Sequence, residues 1–252
     1  GKDKGLDVSN KLIVRVPQNL RKSSERVNNL EAFEQELARH AGIKNISNTS
    51  TVPGDLPSFN FTVKEKGKPG QVSVGVIITD KSFVEMYDIK LRAGSNFSNK
   101  KDGKRKCIIN EKCLTQLGYE NPGEAIGRVV SFDGARQNFQ ATIKGVSGDF
   151  NFRSMKEHPT PMVLLDWTAN MLWGYYAIEV NQEQHKGSVT NFVGGNFKNT
   201  FPNYPFEYFW LKDHYQNHYK AEFELTALLK YIIFFIILVS IINLFSMVWY
   251  TT

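Results

Sequence analysis

The chain has 252 residues, 41% hydrophobic and 22% charged, with a formal net charge of +6. That length and apolar content suffice for one large domain or two small ones and exclude a disordered chain. Much of the excess positive charge sits in Lys100, Lys101, Lys104, Arg105 and Lys106. No aromatic residues on which bases could stack are interleaved with it, so it reads as a solvated loop and nucleic acid is not an expected partner.

The sequence opens at Gly1 with neither a methionine nor an apolar leader, so the expectation is a piece of a longer protein whose export signal or anchor lies upstream. Lys11 to Val16 alternates as a strand. Ser24 to Ala41 places Val27, Leu30, Phe33 and Leu37 at helical spacing, with Ser23 or Ser24 as cap and Gly42 as stop. A strand over Ile43 to Thr51 completes a β-α-β unit. A similar unit recurs near the end: a strand at Gly174 to Asn181, an amphipathic stretch from Lys186 to Phe201 interrupted by Gly194-Gly195, and a strand at Pro205 to Leu211. FNFTVKE and QVSVGVIIT read as antiparallel strands between the two units. From about Thr79 to Gln140 the pattern is a short helix (SFVEMYDI), a strand (CIIN), a helix ended by Gly118 (EKCLTQLG), and two strands (RVVSF, FQATIKGV) around the turn Asp133-Gly134.

The predicted architecture is α+β: one split sheet built from two β-α-β halves, residues 1–79 and 141–212, with a compact lobe inserted at residues 80–140. After Leu211, the stretch KDHYQNHYKAEFELTALLK contains no Gly or Pro and runs into YIIFFIILVSIINLFSMVWY, Tyr231 to Tyr250. That run carries no charge and has the roughly 20-residue length of a membrane-spanning helix. Tyr231, Trp249 and Tyr250 stand where interfacial aromatics belong, and Ser240 and Asn243 can bond within the helix or to a neighbouring one. Residues 213–252 are therefore expected to form one juxtamembrane and transmembrane helix.

Chemistry-bearing patterns are sparse. Cys107 and Cys113 have no second pair and no CxxC spacing. An oxidising compartment would allow a bridge between them, but a strand followed by a helix separates them, and free buried thiols are the expectation. Gly145-Val-Ser147-Gly-Asp149 lacks the final glycine of a nucleophile elbow. His214, His218 and Glu222 share a helical face, but the first and last stand about 12 Å apart along the axis, too far for one ion. They read as a polar stripe. There is no GxxxxGK[ST] loop, so the chain does not bind ATP in the P-loop manner. No catalytic residue, cofactor or metal ligand is assigned, and an enzyme is not expected.

Several segments carry a family resemblance in order. GLDVSNKLIVRVP and NISNTSTVPG come first, then VIITDKSFVEMYDIKLRAGSNFS. CIINEKCLTQLGYENPGEAIGRVV follows, with Asn110, Glu111, Leu117, Gly118, Asn121, Pro122, Ile126 and Gly127. GVSGDFNFRSMKEHPTPMVL carries Gly145, Val146, Asp149, Phe150, Ser154 and Pro159, and Tyr219 with Glu222 forms a Tyr-x-x-Glu ahead of the apolar run. From about Gly5 to the end, this series resembles the periplasmic core domain of MacB/FtsX-like ABC transporter permeases. Where that family usually has Gly-Arg, this chain has Gly94-Ser95, so no role of that Arg is carried over. Individually the matched residues have structural roles: glycines for turns, Asn110 and Asp149 for caps, Phe150 for core.

The resemblance implies a two-lobed periplasmic domain, a porter-like β-α-β part with an inserted lobe, in the bacterial inner membrane with residues 1 to about 225 on the periplasmic side. It implies a nucleotide-binding domain supplied elsewhere, a second permease copy in a dimer, contact with membrane lipid, and a periplasmic or outer-membrane partner. ATP-driven movement would pass through the helices to export, release or signalling outside the membrane. In a bacterial protein the sequons at Asn45, Asn48, Asn60 and Asn96 are incidental. A membrane-tethered periplasmic binding or sensor module without a transport motor is the alternative.

Overall fold

The computed structural model describes residues 6–17, 24–65, 67–68, 70–98, 105–135, 137–152, 158–166, 174–214, 216, 229–237 and 239–240. It divides into two units, Gly1–Lys212 and Asp213–Thr252. In chain order the elements of the first unit are β1 Lys11–Arg15, α1 Ser24–Ala38, β2 Ile43–Thr49, β3 Phe59–Glu65, β4 Gln71–Thr79, α2 Lys81–Met86, β5 Leu91–Gly94 and β6 Lys106–Asn110. Then follow α3 Glu111–Gln116, a 3-10 turn at Pro122–Ala125, β7 Val129–Asp133, β8 Asn138–Ser147, β9 Met162–Asp166, β10 Tyr175–Val180, α4 Lys186–Thr200 and β11 Tyr208–Trp210.

The two β-α-β units interleave. Strand order is β11-β1-β10-β2, every pair antiparallel, with Lys11 opposite Glu179 and Leu12 opposite Trp210. The expectation that Lys11 to Val16 and Gly174 to Asn181 lie in one sheet is met by the β1–β10 ladder. This is the split β-α-β arrangement of ferredoxin-like folds. One sheet face, with Leu12, Val14, Tyr176 and Ile178, is covered by Phe33 and Leu37 of α1 and Val189, Val193 and Phe197 of α4. Phe33 sits at the centre of that layer, its ring edge-on to Tyr176 at 5.3 Å, Phe201 at 5.7 Å and Phe197 at 5.8 Å. α4 runs through Gly194-Gly195 without the interruption expected from sequence. Gly194 is there for space, since a Cβ would stand 2.9 Å from the Phe206 ring.

β2 meets β4 at one residue pair, Thr49 with Thr79, and beyond it the sheet closes on itself. β4 pairs β3, β3 pairs β7, β7 pairs β8, β8 pairs β6, β6 pairs β9, and β9 returns to β4. The result is a six-stranded barrel, with β4–β9 and β6–β8 parallel and the other pairs antiparallel. Closure removes the exposed edges of these strands. The ring includes β3 and β4, ahead of residue 80, and most of β8 and all of β9, beyond residue 140. Its interior is filled by alternate residues: Phe61 and Val63, Val72, Val74 and Val76, Cys107 and Ile109, Val130 and Phe132, Phe139, Ala141 and Ile143, Val163 and Leu165. α3 contributes Cys113 and Leu114 to the same core, with Leu117 just after it.

A third core lies between the barrel and the uncovered face of the split sheet. Ile77, Ile108, Met162 and Leu164 point out of the barrel into it, and meet Phe83, Val84 and Met86 of α2, Tyr87, Ile13, Ala177 and Leu211. β9 therefore buries both faces, and its sequence, MVLLD, shows no alternation. Neither β9 nor β5 is legible as a strand in the sequence.

In the second unit, residues 229–237 and 239–240 are helical. Tyr231, Ile232, Ile233, Phe234, Phe235, Ile236 and Ile237 are all exposed, so apolar side chains cover every side of this helix. The Ser240 hydroxyl bonds back to the Ile236 carbonyl at 2.8 Å. Among the described residues no helix is long and apolar enough to cross a membrane. Tyr250, the expected far end of the span, lies outside the described residues.

The glycines separate by what surrounds them. At Gly94, φ is +75° and a Cβ would stand 2.2 Å from the Lys144 carbonyl, whereas at Gly195, inside α4, it would meet nothing within 4 Å. Thermal unfolding of the full chain should therefore show Gly195→Ala raising Tm by a few degrees, the relief of about 0.5–1 kcal/mol of helix-interior glycine cost. Gly94→Ala and Gly194→Ala should both lower it.

Candidate functional site

Several of the residues that carry the resemblance meet at one end of the barrel. Asn110 ends β6 and caps α3: its side-chain oxygen accepts from the Cys113 amide at 3.0 Å and the Met162 amide at 2.9 Å. Its amide group donates to the Thr160 carbonyl at 2.8 Å. One side chain, 1% exposed, thus ties together a strand end, a helix start and the first residue of β9. Next to it the Lys112 amide donates to Asp149 at 2.8 Å and the Asp149 amide donates to Glu111 at 3.3 Å, while Arg92 pairs with Glu111 at 3.2 Å. These carboxylates are engaged in capping and ion pairing, a joint that fixes the exit of β8 against α3.

The remaining matched positions are dispersed. Gly118 and Gly127 have φ of +80° and +81°, conformations that favour glycine, and Pro122 opens the 3-10 turn. Phe150 belongs to the core between barrel and split sheet. Pro159 lines a cleft of about 330 Å³ with Phe150, Phe152, His158, Pro161 and Met162, facing Leu56 and Pro57. That cleft was not legible in the sequence, because its walls come from chain segments about 100 residues apart. Ser154, Tyr219, Glu222, His218 and Trp249 lie outside the described residues.

The reactive side chains are placed for packing. Cys107 and Cys113 are free and buried in the barrel core. Burial, with the neighbouring Cys113 thiol, pushes Cys107 up, and burial pushes Cys113 up to about 12, so neither offers a thiolate. Ser147 is 1% exposed at the end of β8, and its hydroxyl has no hydrogen-bond partner among the described residues. Among the described residues no group of three or more His, Cys, Asp and Glu side chains could hold a metal ion.

Two charged clusters were missed in the sequence. Asp80 caps α2 and accepts from the Ser47 hydroxyl at 2.8 Å and from the amides of Asn48 at 2.7 Å, Ser82 at 2.9 Å and Phe83 at 3.3 Å. Glu34 of α1 accepts from the Asn48 side chain at 3.1 Å. Burial raises both carboxyls above their ordinary range; the donors oppose this at Asp80, and at Glu34 the charges of Asp80 and Glu31 add to it. The second cluster is Lys11, 0% exposed, with Asp7 at 3.0 Å. A charged residue in a strand gives no sign in one dimension that its whole length will be covered.

The sequence model described as the MacB-like periplasmic core domain matches residues 5–193. No curated protein matches the chain in sequence. Among solved structures, the fold is similar to the periplasmic region of MacB from Actinobacillus actinomycetemcomitans, with 10% identity, TM-score 0.56, and coverage of 83% of this chain and 92% of that one. It is also similar to the extracellular domain of the noncanonic ABC-type transporter YknZ from Gram-positive bacteria, with 12% identity, TM-score 0.54, and coverage of 79% of this chain and 98% of that one.

Two substitutions test the clusters. Asn110→Ala leaves buried amides and a carbonyl without their partner, and should destabilise the first unit by about 1–3 kcal/mol in denaturant unfolding. Glu34→Gln removes a charge that the folded state holds at a cost while keeping an acceptor for Asn48. Because the folded-state carboxyl binds its proton more tightly than in the unfolded chain, the stability withheld at neutral pH returns as pH falls through the raised value. Glu34→Gln should therefore have a higher Tm than the parent at neutral pH, with the difference closing on acidification.

Proposed function

Because the chain belongs to the family of MacB-like periplasmic core domains, we propose that it couples ATP hydrolysis in a separate nucleotide-binding domain to work on the periplasmic side of a bacterial inner membrane. The observation that carries this reading is where the chain enters and leaves the split sheet. β1 and β11 are antiparallel neighbours, with Leu12 opposite Trp210, so residue 11 and residue 211 lie at the same end of the sheet. A domain set between two membrane helices needs that arrangement. The chain then runs on through a Gly- and Pro-free stretch to an apolar helix with no polar side, the property of a segment that lies in lipid.

In this reading Tyr231 to Tyr250 spans the membrane, residues 1 to about 225 are periplasmic, and the permease works with a second copy of itself, a nucleotide-binding subunit or domain, and a partner outside the membrane. The split sheet and the barrel act as two lobes that receive displacement from the membrane at one end. The carboxylates and thiols described above are committed to structure, which suits a domain whose task is mechanical. Helices bend where Pro, Gly or an inserted side chain permits it, and residues 213–250 contain neither Pro nor Gly.

The test is to place glycines at Ala227 and Leu228 in the full transporter. ATP hydrolysis should be retained while transport or release is lost. Loss of both would make the helix an assembly element, and retention of both would show that force does not travel through it.

A further inference from the structure

Lys11 is the one fully buried lysine among the described residues, and both acceptors of its ammonium come from the segment just ahead of its own strand. Nζ donates to Asp7 Oδ2 at 3.0 Å and to the Ser9 carbonyl at 3.2 Å. The Tyr87 ring, centred 5.6 Å from Nζ, covers it from the end of α2, and the Tyr87 hydroxyl is buried without a hydrogen-bond partner among the described residues. Glu179 stands opposite Lys11 on β10, but its carboxylate pairs with Lys44 at 3.1 Å.

The segment itself is built to stay in place. The Ser9 amide donates to Asp7 Oδ1 at 2.9 Å, Asn10 takes a left-handed conformation with φ of 50°, and its carbonyl accepts from the Val180 amide at 2.9 Å. Leu6 and Val8 pack on the core that lies between barrel and split sheet, the core that also holds Leu211 and Tyr87. Although burial opposes ionisation of Asp7, the Ser9 amide and Lys11 outweigh it and hold the carboxyl below its usual range.

We infer that residues 6–11 form an electrostatic latch: Asp7 neutralises a buried lysine, so that lifting the N-terminal segment off the core strands the Lys11 ammonium without an acceptor. Release is then all-or-none, since a partly lifted segment already loses Asp7 while Lys11 stays covered. The latch lies at the end of the sheet where the chain also leaves through β11, so in the proposed permease it is the point on which displacement of the upstream segment acts. That use rests on the proposed coupling function; the latch itself does not.

The experiment is hydrogen–deuterium exchange and thermal unfolding of the full chain in detergent, comparing Asp7→Asn, Lys11→Met and the double variant. Asp7→Asn should raise the exchange rate of residues 6–16 by at least about tenfold, the result of leaving a buried charge unpaired. Lys11→Met should raise it less, because the half-exposed Asp7 is then solvated. The double variant should return exchange close to the parent's, showing strong non-additivity. Unchanged exchange in Asp7→Asn, or effects that add in the double variant, would overturn the latch. If Asp7→Asn does not fold, recovery of a folded double variant supports the latch, and failure of the double variant to fold overturns it. These readouts involve neither ATP hydrolysis nor transport, so a failed latch and a failed coupling reading are told apart.

Discussion

The structure depends on a wall of three strands, β4, β9 and β6, that is buried on both faces. Val76, Ile109, Val163 and Leu165 point into the barrel, while Ile77, Ile108, Met162 and Leu164 point the other way, into the core shared with the split sheet. Each fully buried aliphatic side chain contributes about 1.5–3 kcal/mol, and here consecutive residues of one strand stabilise two different cores. The barrel and the split sheet are therefore joined by close-packed apolar contact. Packed interiors of this kind are stiff, so a displacement of one lobe is felt by the other.

Three polar side chains at strand ends are matched to specific donors or acceptors. Asn110 sits where β6 hands over to α3 and also receives the first amide of β9. Asp80 sits where β4 hands over to α2, receiving amides from that helix and from β2. Lys11 opens β1 beneath the segment that leads into it. At each of these places a change of chain direction leaves backbone groups without ladder partners, and a buried side chain supplies what the ladder cannot.

The proposed coupling role rests on how the two ends of the first unit are placed. The chain enters and leaves the split sheet at one end, between β1 and β11, and the apolar core next to that end runs through α2 to the outer face of the barrel. A fold of this kind does not by itself specify a substrate. The fold is similar to that of solved extracytoplasmic domains at about one residue in ten identical.

Local patterns determined a good part of this protein. The strand KLIVRV, alternation in FQATIKGV, helical spacing from Leu30 to Leu37, the Asn110 cap and the hairpin connection after Asp133 each act over a few residues and appear where they are expected, although KLIVR is buried on both faces and does not alternate. The apolar run from Tyr231 is likewise a property of composition alone. Tertiary structure decided the rest. Closure of the barrel depends on β9, whose apolar run has no periodicity because it faces two cores at once. The pairing of β1 with β10, from Lys11 opposite Glu179 to Arg15 opposite Tyr175, joins residues far apart in the chain. The burial of Lys11, Glu34 and Asp80 follows from what folds over them, since the free energy of a charged side chain is set by its neighbours in space.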